Sequence, residues 1–315
     1  MINLVYNLLR LIRPRQWVKN LAIFASITFA GELFDPPVVL KVVLGFFVFC
    51  GLASATYIIN DIFDVKKDKL HPFKKFRPIA HGDISIPFAI IFAALLIIGS
   101  LIIAINVTPA FFALTILYLL IQFLYSSFLK SLAAVDILVI AAGYILRVYA
   151  GEFASGFHIS VWLLLTTISI SLFLAVGKRR SELTLLSHGK DADIASVRNS
   201  LSHYSEKLLD VYASIFATST FITYSLFTFL ENPGGFKLMF GSIPSDFLPA
   251  FFQRKWLMIT IIPVVYGLMR YIQDIYEKHE GESPEKVLFS DKPLLITVVV
   301  WVVLVILLVY FISPS

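Results

Sequence analysis

The sequence predicts an all-α, polytopic membrane protein with nine transmembrane helices. Of the 315 residues, 58% are hydrophobic and only 15% are charged, and several long stretches carry no charged residue at all. A soluble domain is about 45–50% apolar and about 25% charged, so this chain has too few charges to cover a soluble globule. The composition also excludes a disordered chain and, with one cysteine, a disulfide scaffold.

Each predicted span is a stretch of roughly 17–25 mostly apolar residues, the length a helix needs to cross the hydrocarbon core. The charge-free stretch 84–129 is too long for one span, and Asn106 and Pro109 divide it because Asn and Pro favour a turn. Together the spans form a single integral-membrane domain, 1–315. They are 16–33, 39–59, the two halves of 84–129, 132–153, 159–177, 211–230, 256–273 and 293–312.

The distribution of basic residues predicts the orientation. With the N-terminus inside, 21 of the 26 Lys and Arg residues fall in inner segments and four fall in outer segments. The positive-inside rule then puts the inner segments in the cytoplasm. Two long inner loops, about 60–86 and 178–210, carry most of the chemically suggestive residues, so we expect a cytoplasmic active site. We expect no nucleic-acid partner.

Three aspartates at the end of the second predicted span form the first candidate site. Asp61, Asp64 and Asp68 are spaced three and four residues apart, which places them on one helical face with Asn60 beside them. Their charges repel each other, and a helix C-terminus disfavours anions. Mg²⁺ relieves both penalties because it bridges one or two carboxylates to substrate phosphates. The alternative is a solvated helix end neutralised by nearby lysines: Lys66, Lys67 and Lys69.

Basic residues follow the acidic cluster directly. Lys74, Lys75 and Arg77 suit a polyphosphate ligand, which needs direct donors as well as a metal. The alternative is the ordinary positive charge of an inner loop.

Two ionisable residues lie inside the fifth predicted span, where a charge is costly. Asp136, near its inner end, either pairs with Lys130 across the preceding turn or orients a substrate. Arg147, three turns deeper, is expected to have a structural partnership with Glu152 or with main-chain carbonyls.

The acidic motif resembles a known family motif. Asn60-Asp-x-x-Asp64-x-x-x-Asp68, followed by Arg77-Pro-Ile-Ala-x-Gly-x-Ile-Ser, resembles the first aspartate-rich motif of the UbiA intramembrane prenyltransferase superfamily. In that family the motif binds Mg²⁺ and the diphosphate of a substrate. The resemblance implies a UbiA-like helical bundle with cytosolic cap loops. It also implies Mg²⁺ as cofactor, with Asn60, Asp61, Asp64 and Asp68 as ligands.

Of two further elements, one resembles the superfamily and the other departs from it. Tyr125 and Lys130 resemble its tyrosine–lysine element, although they are five residues apart rather than four. The second aspartate-rich motif, expected after the sixth span, is replaced by Lys178, Arg179 and Arg180. These cations either bind a phosphate monoester directly or anchor the chain on anionic lipid.

Several segments resemble one branch of the superfamily, which transfers 5-phosphoribose from phosphoribosyl pyrophosphate (PRPP) to a polyprenyl phosphate and releases pyrophosphate. They are 13–20, the acidic motif with His71 and Lys74, 177–183 and 276–291.

This resemblance implies three partners: PRPP, a polyprenyl phosphate lipid and the bilayer of a bacterial inner (plasma) membrane. The acidic cluster, with Lys74, Lys75 and Arg77, would hold the donor. Lys178, Arg179 and Arg180 would hold the lipid phosphate, and Lys19 would hold either phosphate. A single displacement predicts inversion at the ribose, and a homo-oligomer is compatible with this reading.

Two other functions stay open at this point. One is a UbiA-type transferase that moves a prenyl group from its diphosphate to an aromatic or other small acceptor, and the missing second aspartate motif argues against it. The other is a membrane transporter or lipid-binding protein. Transporters place their coupling sites near the bilayer midplane, whereas this acidic cluster lies at one helix end.

Overall fold

The computed structural model describes residues 2–70, 74–187, 199–231, 255–277 and 284–312, and every regular element in these ranges is helical. The all-α prediction is therefore confirmed for this part of the chain. Contacts divide the chain into two compact units, with Met1–Ala25, Pro36–Gly156 and Asp191–His203 in the first and Ser26–Asp35, Phe157–Lys190 and Tyr204–Ser315 in the second.

Within the described residues, eight helical segments are long and apolar enough to cross a membrane, and each overlaps a predicted span. They are Pro36–Lys69, Ile86–Ile105, Pro109–Ser127, Val135–Ser155, Val161–Thr184, Glu206–Leu230, Trp256–Tyr276 and Lys292–Phe311.

The predicted count of nine spans is not confirmed, because 16–33 does not form one long α-helix. A 3₁₀-helix over Pro14–Phe24 is followed by a six-residue α-helix, α2 (Ala25–Ala30). The polar side chains of the 3₁₀-helix bind other helices. Gln16 accepts a hydrogen bond from Tyr57, and buried Asn20 donates one to Cys50.

The first unit contains, besides this 3₁₀-helix, α1 (Ile2–Ile12), α3 (Pro36–Leu70), α4 (Pro78–His81), α5 (Ile86–Ile105), α6 (Pro109–Ser127) and α7 (Val135–Ser155), with short 3₁₀ turns at Lys74–Phe76, Leu129–Ser131 and Asn199–His203. The predicted turn at 106–109 is confirmed: α5 ends at Ile105, and the Thr108 side chain caps α6 by accepting a hydrogen bond from the Phe111 N–H.

Helix α3, with 35 residues, packs closely against α5. The two helices approach at Gly51, where a Cβ atom would overlap the hydroxyl of Ser100 and force that hydroxyl to move. A buried cluster that includes Leu11, Ile58 and Ile79 packs α1, α3 and α4 together. This packing brings the N-terminal segment and the segment after α3 beside the acidic end of α3.

The second unit contains α2, α8 (Val161–Ser187), α9 (Glu206–Leu230), α10 (Ile261–Glu277), α11 (Pro284–Ser290) and α12 (Lys292–Ile306), with a 3₁₀ turn at Trp256–Thr260 and a π-helical turn at Leu307–Ile312. Its core includes Tyr224, whose hydroxyl lies 2.7 Å from Thr260 Oγ1 and accepts a hydrogen bond of 2.8 Å from the Trp301 indole.

Both predicted inner loops, 60–86 and 178–210, begin as helix. Helix α3 continues to Leu70 and α8 continues to Ser187, each about three turns past the end of its apolar stretch. The first charged residue marks the end of the apolar stretch, but a helix in water satisfies its own backbone hydrogen bonds and continues. The acidic cluster and the basic run Lys178–Arg180 are therefore helical.

Candidate functional site

Asp61 lies at the centre of the acidic cluster on α3. Its side chain is 2% exposed and is bound by two arginines from different segments. Arg13 Nη2 lies 2.6 Å from both carboxylate oxygens, and Arg77 Nη1 donates to Oδ1 at 3.0 Å. A carboxylate this deeply buried is stable only with such charge-assisted hydrogen bonds.

Asp68 shares one of these arginines. Arg77 Nη1 also donates to Asp68 Oδ2 at 2.7 Å, so one guanidinium nitrogen bridges two carboxylates two helical turns apart. Arg77 precedes Pro78, which holds Arg77 in an extended conformation, and its N–H donates to the Lys74 carbonyl at 2.9 Å. This turn directs Arg77 back onto α3.

Asp64 binds the cation supplied by the turn between α6 and α7. Lys130 Nζ lies 2.8 and 2.9 Å from the two oxygens of Asp64 and 3.3 Å from Asn60 Oδ1. The hydroxyl of Ser200 shares its one proton between two acceptors, the Lys130 carbonyl at 3.1 Å and the carboxylate of fully buried Asp136 at 3.2 Å. Asp136 and Ser200 thereby hold the turn that carries Lys130.

Among the described residues, the cations that form ion pairs with the three aspartates are Arg13, Arg77 and Lys130. The sequence suggested Mg²⁺ or, as the alternative, the nearby lysines Lys66, Lys67 and Lys69, whose side chains are exposed. The formal charges of these three carboxylates and their three paired cations sum to zero. The repulsion expected on one helical face is relieved by residues distant in sequence.

Arg13 was not predicted as a site residue. Its backbone φ is 51°, in the left-handed region, and its guanidinium lies 5.0 Å from the centroid of the Tyr57 ring. Among the described residues, Arg13 and Ala134 are the two non-glycine residues with positive φ, and both are in segments that supply cations to the cluster. Backbone strain of this kind is common at functional sites. The sequence signal available was the Arg-Pro-Arg segment before 16–33.

The remaining predicted donor-site residues lie around this cluster. Lys19 donates to Gln16 Oε1 at 2.6 Å, and the same oxygen accepts from the Tyr57 hydroxyl at 3.0 Å, one turn before Asn60. Lys74 is half-buried, whereas Lys75 is exposed over the Phe76 ring. Tyr125 is half-buried in the last turns of α6, and His71 lies outside the described residues.

Arg147 is buried in the middle of the first unit. It donates to the Gly143 carbonyl, to Asn20 Oδ1 at 2.7 Å and to the Tyr118 hydroxyl at 3.1 Å. The expected carbonyl partner is confirmed, and Asn20 and Tyr118 supply the side-chain partners. This arrangement ties the 3₁₀-helix Pro14–Phe24 to α7.

The donor set of the acidic cluster suits Mg²⁺. Over the described ranges, no three His, Cys, Asp or Glu side chains form a ready-made metal site. Mg²⁺, however, usually takes one or two carboxylates, keeps several waters and binds substrate phosphates. Asp61 and Asp68 fit that requirement, because both lie within 3.0 Å of one nitrogen of Arg77 and are thus within reach of a single cation.

The basic run on α8 does not converge on one point. Arg179 is fully buried and contacts Glu182. Arg180 donates to Asp210 at 2.7 Å, lies 3.1 Å from Glu206 and stacks on the Tyr276 ring. Lys178 is half-buried and makes no hydrogen bond or ion pair with any residue that the structure describes.

Sequence comparisons identify relatives over nearly the whole chain. The profile of the UbiA prenyltransferase family matches residues 21–292. The chain is 34% identical to the decaprenyl-phosphate phosphoribosyltransferase of Mycolicibacterium smegmatis, covering 98% of this chain and 94% of that protein. It is 32% identical to the protein of the same name from Corynebacterium glutamicum, covering 98% and 88%.

Solved structures agree with the fold. A UbiA homolog from Archaeoglobus fulgidus bound to GPP and Mg²⁺ superposes with a TM-score of 0.69, covering 95% of this chain and 99% of that one. The same homolog has also been solved bound to Cd²⁺, with a TM-score of 0.66. At 18% and 16% sequence identity, these likenesses show the fold alone.

Proposed function

The chain belongs to the UbiA prenyltransferase family, and we propose that it transfers 5-phosphoribose from PRPP to a polyprenyl phosphate, releasing pyrophosphate. The observation that carries this proposal is the 34% identity, over 98% of the chain, to an enzyme named for decaprenyl-phosphate phosphoribosyl transfer. The eight apolar helices and the family make it an integral membrane protein. We propose the cytoplasmic orientation, with the N-terminus inside, from the distribution of Lys and Arg.

The acidic cluster is the proposed site for the pyrophosphate group of PRPP. Asp61, Asp64 and Asp68 would hold Mg²⁺, with Asn60 as a neutral oxygen ligand. The Mg²⁺ bound by a UbiA homolog of the same fold supports the choice of metal. The bound metal would supply a positive charge that stabilises the departing pyrophosphate. Arg77 is the best-placed direct donor, because it already lies between Asp61 and Asp68.

The other basic residues of the first unit have secondary roles in this proposal. Lys74 and Lys75 lie on the same turn as Arg77 and would contact outer phosphate oxygens, while Lys19 remains a candidate for either the donor or the lipid phosphate. Lys130 holds Asp64, and Asp136 holds the turn that carries Lys130. We keep Tyr125 as a candidate for the donor, from its place before that turn.

The lipid phosphate is assigned to the basic segment of α8 in the second unit. Lys178 is the cation we put forward, because Arg180 is engaged with two carboxylates and Arg179 is fully buried. A contact between Arg179 and a ligand would require that it leave its buried position, so we give it a structural role.

The chemistry requires no general base. An oxygen of the lipid phosphate is already ionised, and it attacks C1 of the ribose while the C1–O bond to pyrophosphate breaks. The bonding electrons leave with the pyrophosphate, and the ribosyl centre passes through an oxocarbenium-like state. A single displacement inverts C1, so an α donor gives a β product.

A double-label assay tests this function. Purified protein receives Mg²⁺ and a polyprenyl phosphate with ribose-labelled PRPP or, separately, a labelled prenyl diphosphate with an aromatic acceptor. We expect label from PRPP in the lipid fraction. Asp64→Asn should abolish its entry, whereas Glu231→Gln, which alters an exposed carboxylate at the end of α9, should not. Failure of PRPP label to enter lipid would overturn the proposal, and consumption of the prenyl diphosphate would favour prenyl transfer.

The role of Lys178 has its own test. Lys178→Gln should raise the KM for polyprenyl phosphate about tenfold with little change in the KM for PRPP, as expected from losing one charge-assisted contact. The matched control is Lys207→Gln, an exposed lysine in the first turn of α9. Equal KM values for the lipid in the two variants would show that Lys178 does not bind the lipid phosphate.

A further inference from the structure

Arg13 is the cation of the acidic cluster to which the proposed function gives no role. The structure gives it two kinds of side-chain partner: the two carboxylate oxygens of Asp61, both at 2.6 Å, and the face of the Tyr57 ring. Its backbone adopts a left-handed φ of 51°, which a residue with a side chain adopts only at a cost. The fold thus holds Arg13 against Asp61 despite an unfavourable backbone.

The charge balance of the cluster restricts what can bind to it. Because the three aspartates already contact three cations, a divalent cation alone would add two positive charges beside Arg13 and Arg77. A pyrophosphate alone would add negative charge beside the carboxylates. Both additions are electrostatically unfavourable in a partly buried site. A ligand that brings both signs of charge allows the carboxylates and the arginines each to gain a new partner.

Arg13 is the cation best able to change partner. Arg77 binds both Asp61 and Asp68, so it keeps its hydrogen bond to Asp68 if Asp61 binds another partner. Among the described residues, Lys130 is the cation that pairs with Asp64, so its departure would leave that carboxylate without a cation, whereas Asp61 keeps Arg77 when Arg13 leaves. Within the part of the chain that the structure describes, Asp61 is the single carboxylate partner of Arg13, and the Arg13 side chain is 24% exposed, so the guanidinium is accessible to a ligand that enters from solvent. Stacking on Tyr57 keeps the guanidinium near the cluster after the exchange.

We propose that Arg13 is a donor-binding residue that exchanges Asp61 for a phosphate oxygen of the diphosphate. As a consequence, Mg²⁺ and diphosphate bind the cluster together, and each binds weakly alone. The inference rests on the proposed function for the identity of the donor, but its test needs only a divalent cation and inorganic pyrophosphate.

The test is calorimetric titration of the full chain, purified in lipid nanodiscs, with three probes. They are MgCl₂ alone, pyrophosphate with EDTA, and pyrophosphate in excess Mg²⁺. For the unaltered protein we expect pyrophosphate in excess Mg²⁺ to bind at least tenfold more tightly than pyrophosphate with EDTA. In Arg13→Gln, Mg²⁺ alone should bind about three- to tenfold more tightly, because a competing cation is gone. Pyrophosphate in excess Mg²⁺ should bind about tenfold more weakly.

Opposite shifts in these two affinities distinguish ligand exchange from a structural role, which would weaken both. Arg13→Gly removes the same side chain and suits the left-handed backbone, so it supplies a second variant that favours folding, and it should give the same opposite shifts. The matched control is Arg15→Gln, an exposed arginine two residues away, which should change neither affinity. Parallel weakening, or unchanged affinities in both Arg13 variants, would overturn the proposal.

The two proposals fail separately. If the affinities shift in opposite directions but no label moves from PRPP to lipid, the role of Arg13 is supported and the proposed donor is wrong. If the lipid product forms but Mg²⁺ and pyrophosphate bind equally well with and without the Arg13 side chain, the proposed function is supported and the exchange at Arg13 is wrong.

Discussion

Asp61 and Asp64 belong to the same proposed metal site, yet the structure predicts that their removal affects stability differently. Asp61 is 2% exposed and contacts two arginines, whereas Asp64 is 22% exposed and contacts Lys130. Breaking a buried ion pair by removing one partner costs about 3–5 kcal/mol, and a partly exposed pair contributes about 1 kcal/mol or less. Asparagine at position 61 keeps one oxygen acceptor, so we expect Asp61→Asn to lower the free energy of unfolding by about 3 kcal/mol, the low end of that range.

These free energies convert into a measurable difference in thermal stability. At about 2–4 °C per kcal/mol, Asp61→Asn should lower Tm by about 6–12 °C, and Asp64→Asn by about 2–4 °C or less. The assay is thermal unfolding of each purified variant in the same detergent, monitored by intrinsic fluorescence. Turnover should be lost in both, because both carboxylates are proposed metal ligands.

A double-mutant cycle identifies the cause of the loss at position 61. Asp61→Asn leaves Arg13 without its carboxylate. If this is why the variant is less stable, adding Arg13→Gln to Asp61→Asn should lower the free energy of unfolding by less than Arg13→Gln does in the unaltered protein. The coupling between the two positions should be about 1 kcal/mol or more. Equal Tm losses for Asp61→Asn and Asp64→Asn, or additive effects in the cycle, would refute the reasoning.

Three further predictions concern stability. Arg13→Gly should unfold about 2–8 °C above Arg13→Gln, because glycine avoids the left-handed backbone cost of about 1–2 kcal/mol; equal Tm values would mean that the backbone is unstrained. Gly51→Ala should lower Tm by overpacking α3 against α5, whereas Gly99→Ala, which meets open space, should leave Tm unchanged or raise it. Ser200→Ala should lower the free energy of unfolding by about 1–3 kcal/mol, because buried Asp136 loses a hydrogen-bond donor. An unchanged Tm in thermal unfolding would exclude this role of Ser200.

The sequence predicted most of the fold because the bilayer imposes a simple rule. A charge-free stretch of sufficient length must be a helix there, and eight of the nine predicted spans overlap apolar helices. The first span is not confirmed, and length and hydropathy do not register what its polar side chains bind. Gln16, Lys19 and Asn20 make hydrogen bonds within the first unit, which hydropathy counts only as a loss of apolar character.

The acidic cluster was predictable as a group, but its counter-ions were not. Spacings of three and four residues identify one helical face without tertiary information. The partners of that face come from 48 residues earlier, 16 later and 66 later in the chain, at separations that no local pattern encodes. The sequence predicted Mg²⁺, with the nearby lysines as the alternative, and the side chains of these lysines are exposed on α3.

The basic run of α8 shows how helical geometry separates residues that the sequence groups together. Three consecutive cations appear in sequence as one phosphate site, because a loop could direct all three side chains to one ligand. Consecutive residues of an α-helix, however, point about 100° apart. Once 178–180 is helical, one side chain must face the packed interior, and this is Arg179, at 0% exposure. Arg180, turned toward α9, meets Glu206 and Asp210, so part of the charge that replaced the acidic motif is neutralised inside the protein. If α8 binds the lipid phosphate as we propose, Lys178 supplies the remaining attraction, and the helical geometry then predicts that the loss of lipid affinity is confined to substitution of Lys178.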